Sequence, residues 1–100
     1  MIYVKIHNTQ NGNILAMCDE EQIGKVLKDG DVVINIKDYS EFYKGELINE
    51  KQWKWYGTVI YSANIIGKRS IDLAIKSNII KKENVRHAAG VPYAHAYLVD

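Results

Sequence analysis

A two-layer α/β sandwich of the α+β type, with a mixed sheet that includes an N-terminal hairpin and helices on one face, is the fold class this sequence predicts. Three observations carry that reading. Apolar residues alternate with polar or aromatic ones at a period of two in residues 2–7 and again in residues 93–99, and they recur at three- and four-residue spacing in residues 68–78. The first two patterns mark strands with two unlike faces and the third marks a helix with one apolar stripe, so the helix has a sheet to cover. One hundred residues suit one compact domain, residues 1–100, burying roughly 60–68% of the unfolded surface without help from a disulfide or metal.

Taken in order, Ile2, Val4 and Ile6 alternate with Tyr3, Lys5 and His7 in a first strand, and Gln10-Asn-Gly-Asn13 supplies the Asn-Gly turn of a hairpin. Residues 13–18 return as its second strand. Asp19 with Gln22 three residues later reads as the capped start of a short helix, with Ile23, Val26 and Leu27 as its stripe and Asp29-Gly30 as its end. Residues 31–37 form a third strand with Val32, Ile34 and Ile36 inward. Residues 38–48 read as a structured loop. Asn49 and Gln52 suggest another helix start, and residues 58–61 have strand propensity. Gly67-Lys-Arg-Ser70 opens the amphipathic helix of residues 68–78, whose Ile71, Ala74, Ile75 and Ile79 face the core. Gly90 supplies positive φ and Pro92 a fixed φ, so together they set the chain's approach to the last strand.

This arrangement leaves a second sheet face displaying Tyr3, Lys5, His7, Asn35, Lys37, Tyr93, His95 and Tyr97. Aromatic rings on an open sheet stack unpaired bases while lysines meet phosphates. The competing expectation is that residues 38–48, the tryptophan segment or a second copy of the chain covers this face.

A formal net charge of +1 conceals a sorted distribution. Residues 68–87 hold Lys68, Arg69, Lys76, Lys81, Lys82 and Arg86 against Asp72 and Glu83, while residues 19–50 hold nine acids against four lysines. Lys68, Arg69 and Ser70 lie at a helix N-terminus, whose unpaired N–H groups suit a phosphate. A nucleotide-binding Gly-Lys-Ser loop is excluded, because Ala63 stands where its first glycine belongs and the order Lys-Arg-Ser differs. His7, His87 and His95 lack paired metal-ligand spacing, and Cys18 is the sole cysteine. No metal, cofactor or catalytic residue is therefore expected. The single cysteine and the absence of a long apolar run point to a cytoplasmic protein that does not enter a membrane.

The segments of residues 1–7, Cys18-Asp-Glu20, Gly45-Glu-Leu47, Asn64-Ile-Ile-Gly-Lys-Arg-Ser70, Leu73-Ala74 and Gly90-Val-Pro-Tyr-Ala-His95, in this order, resemble the small archaeal proteins called domain of unknown function 424. The resemblance spans nearly the whole chain. Tyr93 departs from the His that the family pattern implies there, so no role of that imidazole carries over. The resemblance implies a compact two-layer α/β domain of the archaeal cytoplasm and no particular activity.

The function expected from these residues is a non-catalytic binding module associated with RNA or a ribonucleoprotein such as the ribosome. Lys68, Arg69, Ser70, Lys81, Lys82 and Arg86 are the candidate phosphate contacts, and Tyr93 and His95 the candidate base contacts. One alternative is a protein-interaction adaptor or homodimer anchored by Trp53 and Trp55. The other is a small enzyme with a pocket near residues 90–95.

Overall fold

Six strands form the central sheet of the computed structural model, which describes residues 1–54 and 60–97. In chain order its elements are β1 (Ile2–Thr9), β2 (Gly12–Asp19), β3 (Val26–Asp29), β4 (Val32–Asn35), α1 (Ser40–Tyr43), β5 (Glu46–Ile48), β6 (Ser62–Ile66), α2 (Lys68–Lys76), β7 (Arg86–Ala88) and β8 (Val91–Tyr97). The sheet runs β5-β1-β2-β6-β8-β7, antiparallel except for the parallel pair β2 and β6, and β3 with β4 makes a separate two-stranded sheet. The α+β class, the mixed sheet and the N-terminal hairpin all stand.

The face that carries α2 is the larger core. Ile2, Leu15, Met17, Ala63, Ile65, Ala94 and Ala96 present their side chains there against Ile71, Leu73 and Ala74. Ile75 is only half-buried. Ile6, expected inward with Ile2 and Val4, is 43% exposed because β5 pairs β1 only along residues 2–4, so Ile6 lies on an unpaired edge of the sheet while its partner Leu15 is buried. The turn itself is Gln10-Asn11, closed by the pair Thr9 and Gly12, one residue earlier than the Asn-Gly reading.

The helix expected over residues 19–30 is absent. Residues 20–22 make a single 3₁₀ turn and the chain then enters β3, whose partner β4 replaces the third strand expected in the main sheet. Asp29 and Val32 close a two-residue turn at Gly30-Asp31, and this hairpin geometry outweighs a weak helical stripe. Leu27 and Ile36 are buried beneath this small sheet, whereas Val32 and Val33 face water.

The second face of the main sheet is therefore partly covered. Ala16, Cys18 and Ile66 on that face pack with Leu27, Ile36 and Tyr43. The segment of residues 38–48 also contributes: His7 stacks on Phe42 with centroids 4.4 Å apart, its Nε2 lies 2.8 Å from the Phe42 carbonyl, and Lys5 Nζ donates to the Glu41 carbonyl.

Candidate functional site

Cross-strand register gathers the polar residues of the second face into rows. Lys5, Ala16, Asn64 and His95 stand side by side on β1, β2, β6 and β8, and the adjoining row brings Tyr93 beside Arg86 on β7. Residues directly opposite in a sheet share a face, so Arg86, Tyr93, Asn64 and His95 form one contiguous surface. The side chains of Ala94 and Ala96 pack against the opposite core, as the alternation of residues 93–97 predicts.

Between this surface and the free side of β4 lies a cleft of about 420 Å³. Val33, Asn35, Tyr39 and Phe42 form one wall, with Asn64, Tyr93 and His95 across from them. His95 is exposed and its ring leans toward Tyr97 at 5.4 Å, with Tyr61 edge-on to Tyr97. Asn64 and Phe42 are absent from the residues the sequence suggests for this face, whereas Asn35 is among them. Asn64 sits in a stretch that reads as a helix start, although the run of residues 62–66 is apolar except for Ser62 and Asn64, which share a face.

The helix N-terminus holds an anion that belongs to the protein. Asp19 Oδ1 accepts from the Ser70 amide at 2.8 Å and from Ser70 Oγ at 2.7 Å, while Oδ2 accepts from the Arg69 amide at 3.1 Å. Ser70 is fully buried. The leading donors of α2 are thereby satisfied in the way a phosphate would satisfy them, so Ser70 has no place among the phosphate contacts. Gly67 makes this possible: its φ is +106°, and a Cβ there would overlap the Asp19 carboxylate.

The basic residues divide among three places. Arg69 extends from the helix to Glu21 at 2.8 Å, an exposed pair worth little by itself. Lys68 and Lys82 line a second groove of about 360 Å³ with Asp72, His87 and Pro92, on the α2 side of β7 and β8. Arg86 donates to the Glu83 carbonyl at 3.3 Å and remains exposed beside Tyr93, and Lys81 is exposed. Lys68 and Lys82 thus come together, but on the opposite side of the β7 edge from Tyr93 and His95.

Trp53 is half-buried at the margin of the main core. It packs on the α2 side, and its Nε1 donates to Ser77 Oγ at 2.9 Å. Trp55 lies outside the described residues.

Among the described residues, no three His, Cys, Asp or Glu side chains converge as a metal site would require. No helix among them is long and apolar enough to cross a membrane. The groups with displaced titration are structural. Burial, reinforced by the Asp19 and Glu21 charges, pushes the Cys18 thiol from 9.0 up to about 12. Burial, with a smaller contribution from Cys18, raises Tyr43 from 10.0 to about 12.

Both groups hold their protons more tightly in the folded state than in the unfolded chain. Their contribution is complete below pH 9.0 and is lost as pH rises toward about 12. The urea midpoint should therefore fall through that window, and less steeply in Cys18→Ala. Iodoacetamide should modify native Cys18 slowly at neutral pH and rapidly once the chain unfolds. Rapid modification of the folded protein would show that the thiol is accessible and ionised.

A crystal structure of an uncharacterized conserved protein from Methanopyrus kandleri is similar to this chain, with a TM-score of 0.78 and 20% sequence identity. The match covers 98% of this chain and 91% of that one. At that identity the likeness establishes the fold. A search of curated protein sequences gives no match. Residues 6–99 match the family described as "Protein of unknown function (DUF424)", and the chain belongs to that family.

Proposed function

We propose that this protein is a non-catalytic binding module for single-stranded RNA, working in the cytoplasm alone or within a ribonucleoprotein such as the ribosome. The observation that supports it is the surface built by Arg86, Tyr93, Asn64 and His95, where a guanidinium stands beside exposed and half-buried rings at the mouth of a cleft. Rings of this kind stack bases at about 1–3 kcal/mol each, and the adjacent cation meets the phosphate. Lys81, and Lys68 with Lys82 around the β7 edge, extend the path of the backbone. Asp19 already fills the helix N-terminus, so phosphate contact rests on these side chains.

The test is anisotropy titration of labelled single-stranded RNA across a range of salt. Contacts from Lys68, Lys81, Lys82 and Arg86 give a slope of roughly −3 in log K against log salt, at about −0.7 per contact. Reversing the four to Glu flattens that slope. Tyr93→Ala weakens single-stranded RNA and leaves any duplex affinity unchanged. No measurable affinity at physiological salt would end the proposal.

A second reading, a protein-interaction adaptor or homodimer, draws on the far wall of the same cleft. Val33 and Tyr39 are 58% and 63% exposed on the small sheet and the segment after it. A protein partner would be met there, away from Trp53.

A further inference from the structure

We infer that the cleft beside β4 is a nucleobase pocket in which the Asn64 carboxamide reads the hydrogen-bonding edge of one unpaired base, with adenine the best match. The inference rests on the RNA-binding reading and gives it a ligand class and a reading residue. The cleft holds about 420 Å³, within the roughly 300–1,000 Å³ of small-molecule sites. Its walls carry aromatic rings, and Phe42 is held in place by His7, whose ring is stacked 12° from parallel. Among the described residues no lysine or arginine lines it, which suits a neutral ring inside with its phosphate outside near Arg86.

Asn64 is the unusual residue in this setting. It occupies β6, a central strand between β2 and β8, yet is polar and half-buried, and its carboxamide makes no hydrogen bond to a described residue. Its neighbour in the row toward β2 is the buried methyl of Ala16, which offers the amide no hydrogen bond, and toward β8 it is His95, a further polar group. The other amide in the cleft cannot substitute for it. Asn35 is engaged at both ends, donating to Asp38 Oδ2 at 2.8 Å and accepting from the Asp38 amide at 3.0 Å.

A carboxamide offers a donor beside an acceptor. Adenine presents the complementary pair on both its Watson–Crick and its Hoogsteen edge, so two orientations in the pocket satisfy the amide. A pocket that reads a base through such a pair discriminates strongly against a ligand lacking it, because the amide is then left unpaired.

The test follows the side-chain amide of Asn64 by NMR in uniformly ¹⁵N-labelled protein while adenosine, the other three nucleosides and N6,N6-dimethyladenosine are added separately. Adenosine should shift that resonance saturably and more tightly than the others. N6,N6-dimethyladenosine, which still stacks but has lost its donor, should bind about tenfold or more weakly to the wild-type protein. Asn64→Ala should weaken adenosine to a similar degree, and the dimethyl nucleoside gives the same answer without altering the fold. Equal binding of adenosine by wild type and Asn64→Ala, or of both nucleosides by the wild type, would overturn the inference. So would RNA binding with no response of Asn64 to millimolar adenosine, an outcome that leaves the RNA reading standing. Asn64-dependent adenosine binding without affinity for RNA oligomers would instead keep the pocket and remove the RNA reading.

Discussion

Gly67→Ala should lower the stability of this protein by about 3–5 kcal/mol, a large part of what holds a small domain folded. Two effects act at once. The residue sits at φ +106°, where a side chain is strained, and the added methyl would occupy the position of the Asp19 carboxylate. That carboxylate is 2% exposed and accepts the Arg69 amide, the Ser70 amide and the Ser70 hydroxyl. Displacing it strands a buried charge and removes the cap of α2, the helix that covers the main core. Asp19→Ala should be comparably damaging, since each orphaned buried donor costs about 1–3 kcal/mol. Ser70→Ala, which removes one donor and leaves the two amides paired, should cost less than either. Urea denaturation of the three variants checks the order. In the double variant Asp19→Ala/Gly67→Ala the methyl has room, so the second change should add only about 1–3 kcal/mol for the positive-φ backbone. Full additivity would show that Gly67 and Asp19 act independently.

The same cap explains where the sequence was legible and where it was not. Asp19 followed by Gln22 satisfies the local pattern of a helix start, but the first amide that Asp19 caps, on α2, lies 50 residues later. Spacing along the chain cannot reveal such a partner. Strands with two unlike faces were readable: β1 and β8 alternate because one face meets α2 and the other is partly open. The placing of Tyr93, His95 and Tyr97 opposite Ala94 and Ala96 follows from that period alone. Strand β6 was not readable, because it is central and mostly buried, so its five residues show no simple alternation and run straight into Gly67 and the helix. Missing β6 also hid Asn64, and with it the floor of the cleft. The basic residues were countable in the sequence, but their division between two sides of the β7 edge depends on which strand lies outermost, and order in a sheet is not order along the chain.

The core test follows from that missed strand: Ile65→Ala should destabilise by about 2–5 kcal/mol, and Ile75→Ala by clearly less. Both residues belong to the cluster between the sheet and α2, and helical periodicity alone would make Ile75 the more telling position. Burial reverses the order. Ile65 is fully buried on a strand bonded on both sides, so removing its branched side chain leaves a cavity that neither β2 nor β8 can close without breaking a ladder. Ile75 is half-buried near the end of α2 and borders the open groove lined by Lys68 and Lys82, so less apolar surface is transferred from water and the vacated space opens to solvent. Chemical denaturation of the two variants, with the slope against urea checked for constancy, measures the difference. Equal losses, or a larger loss at Ile75, would place the main core on the outer turns of α2 and undo the assignment of the cleft to the opposite face of β6.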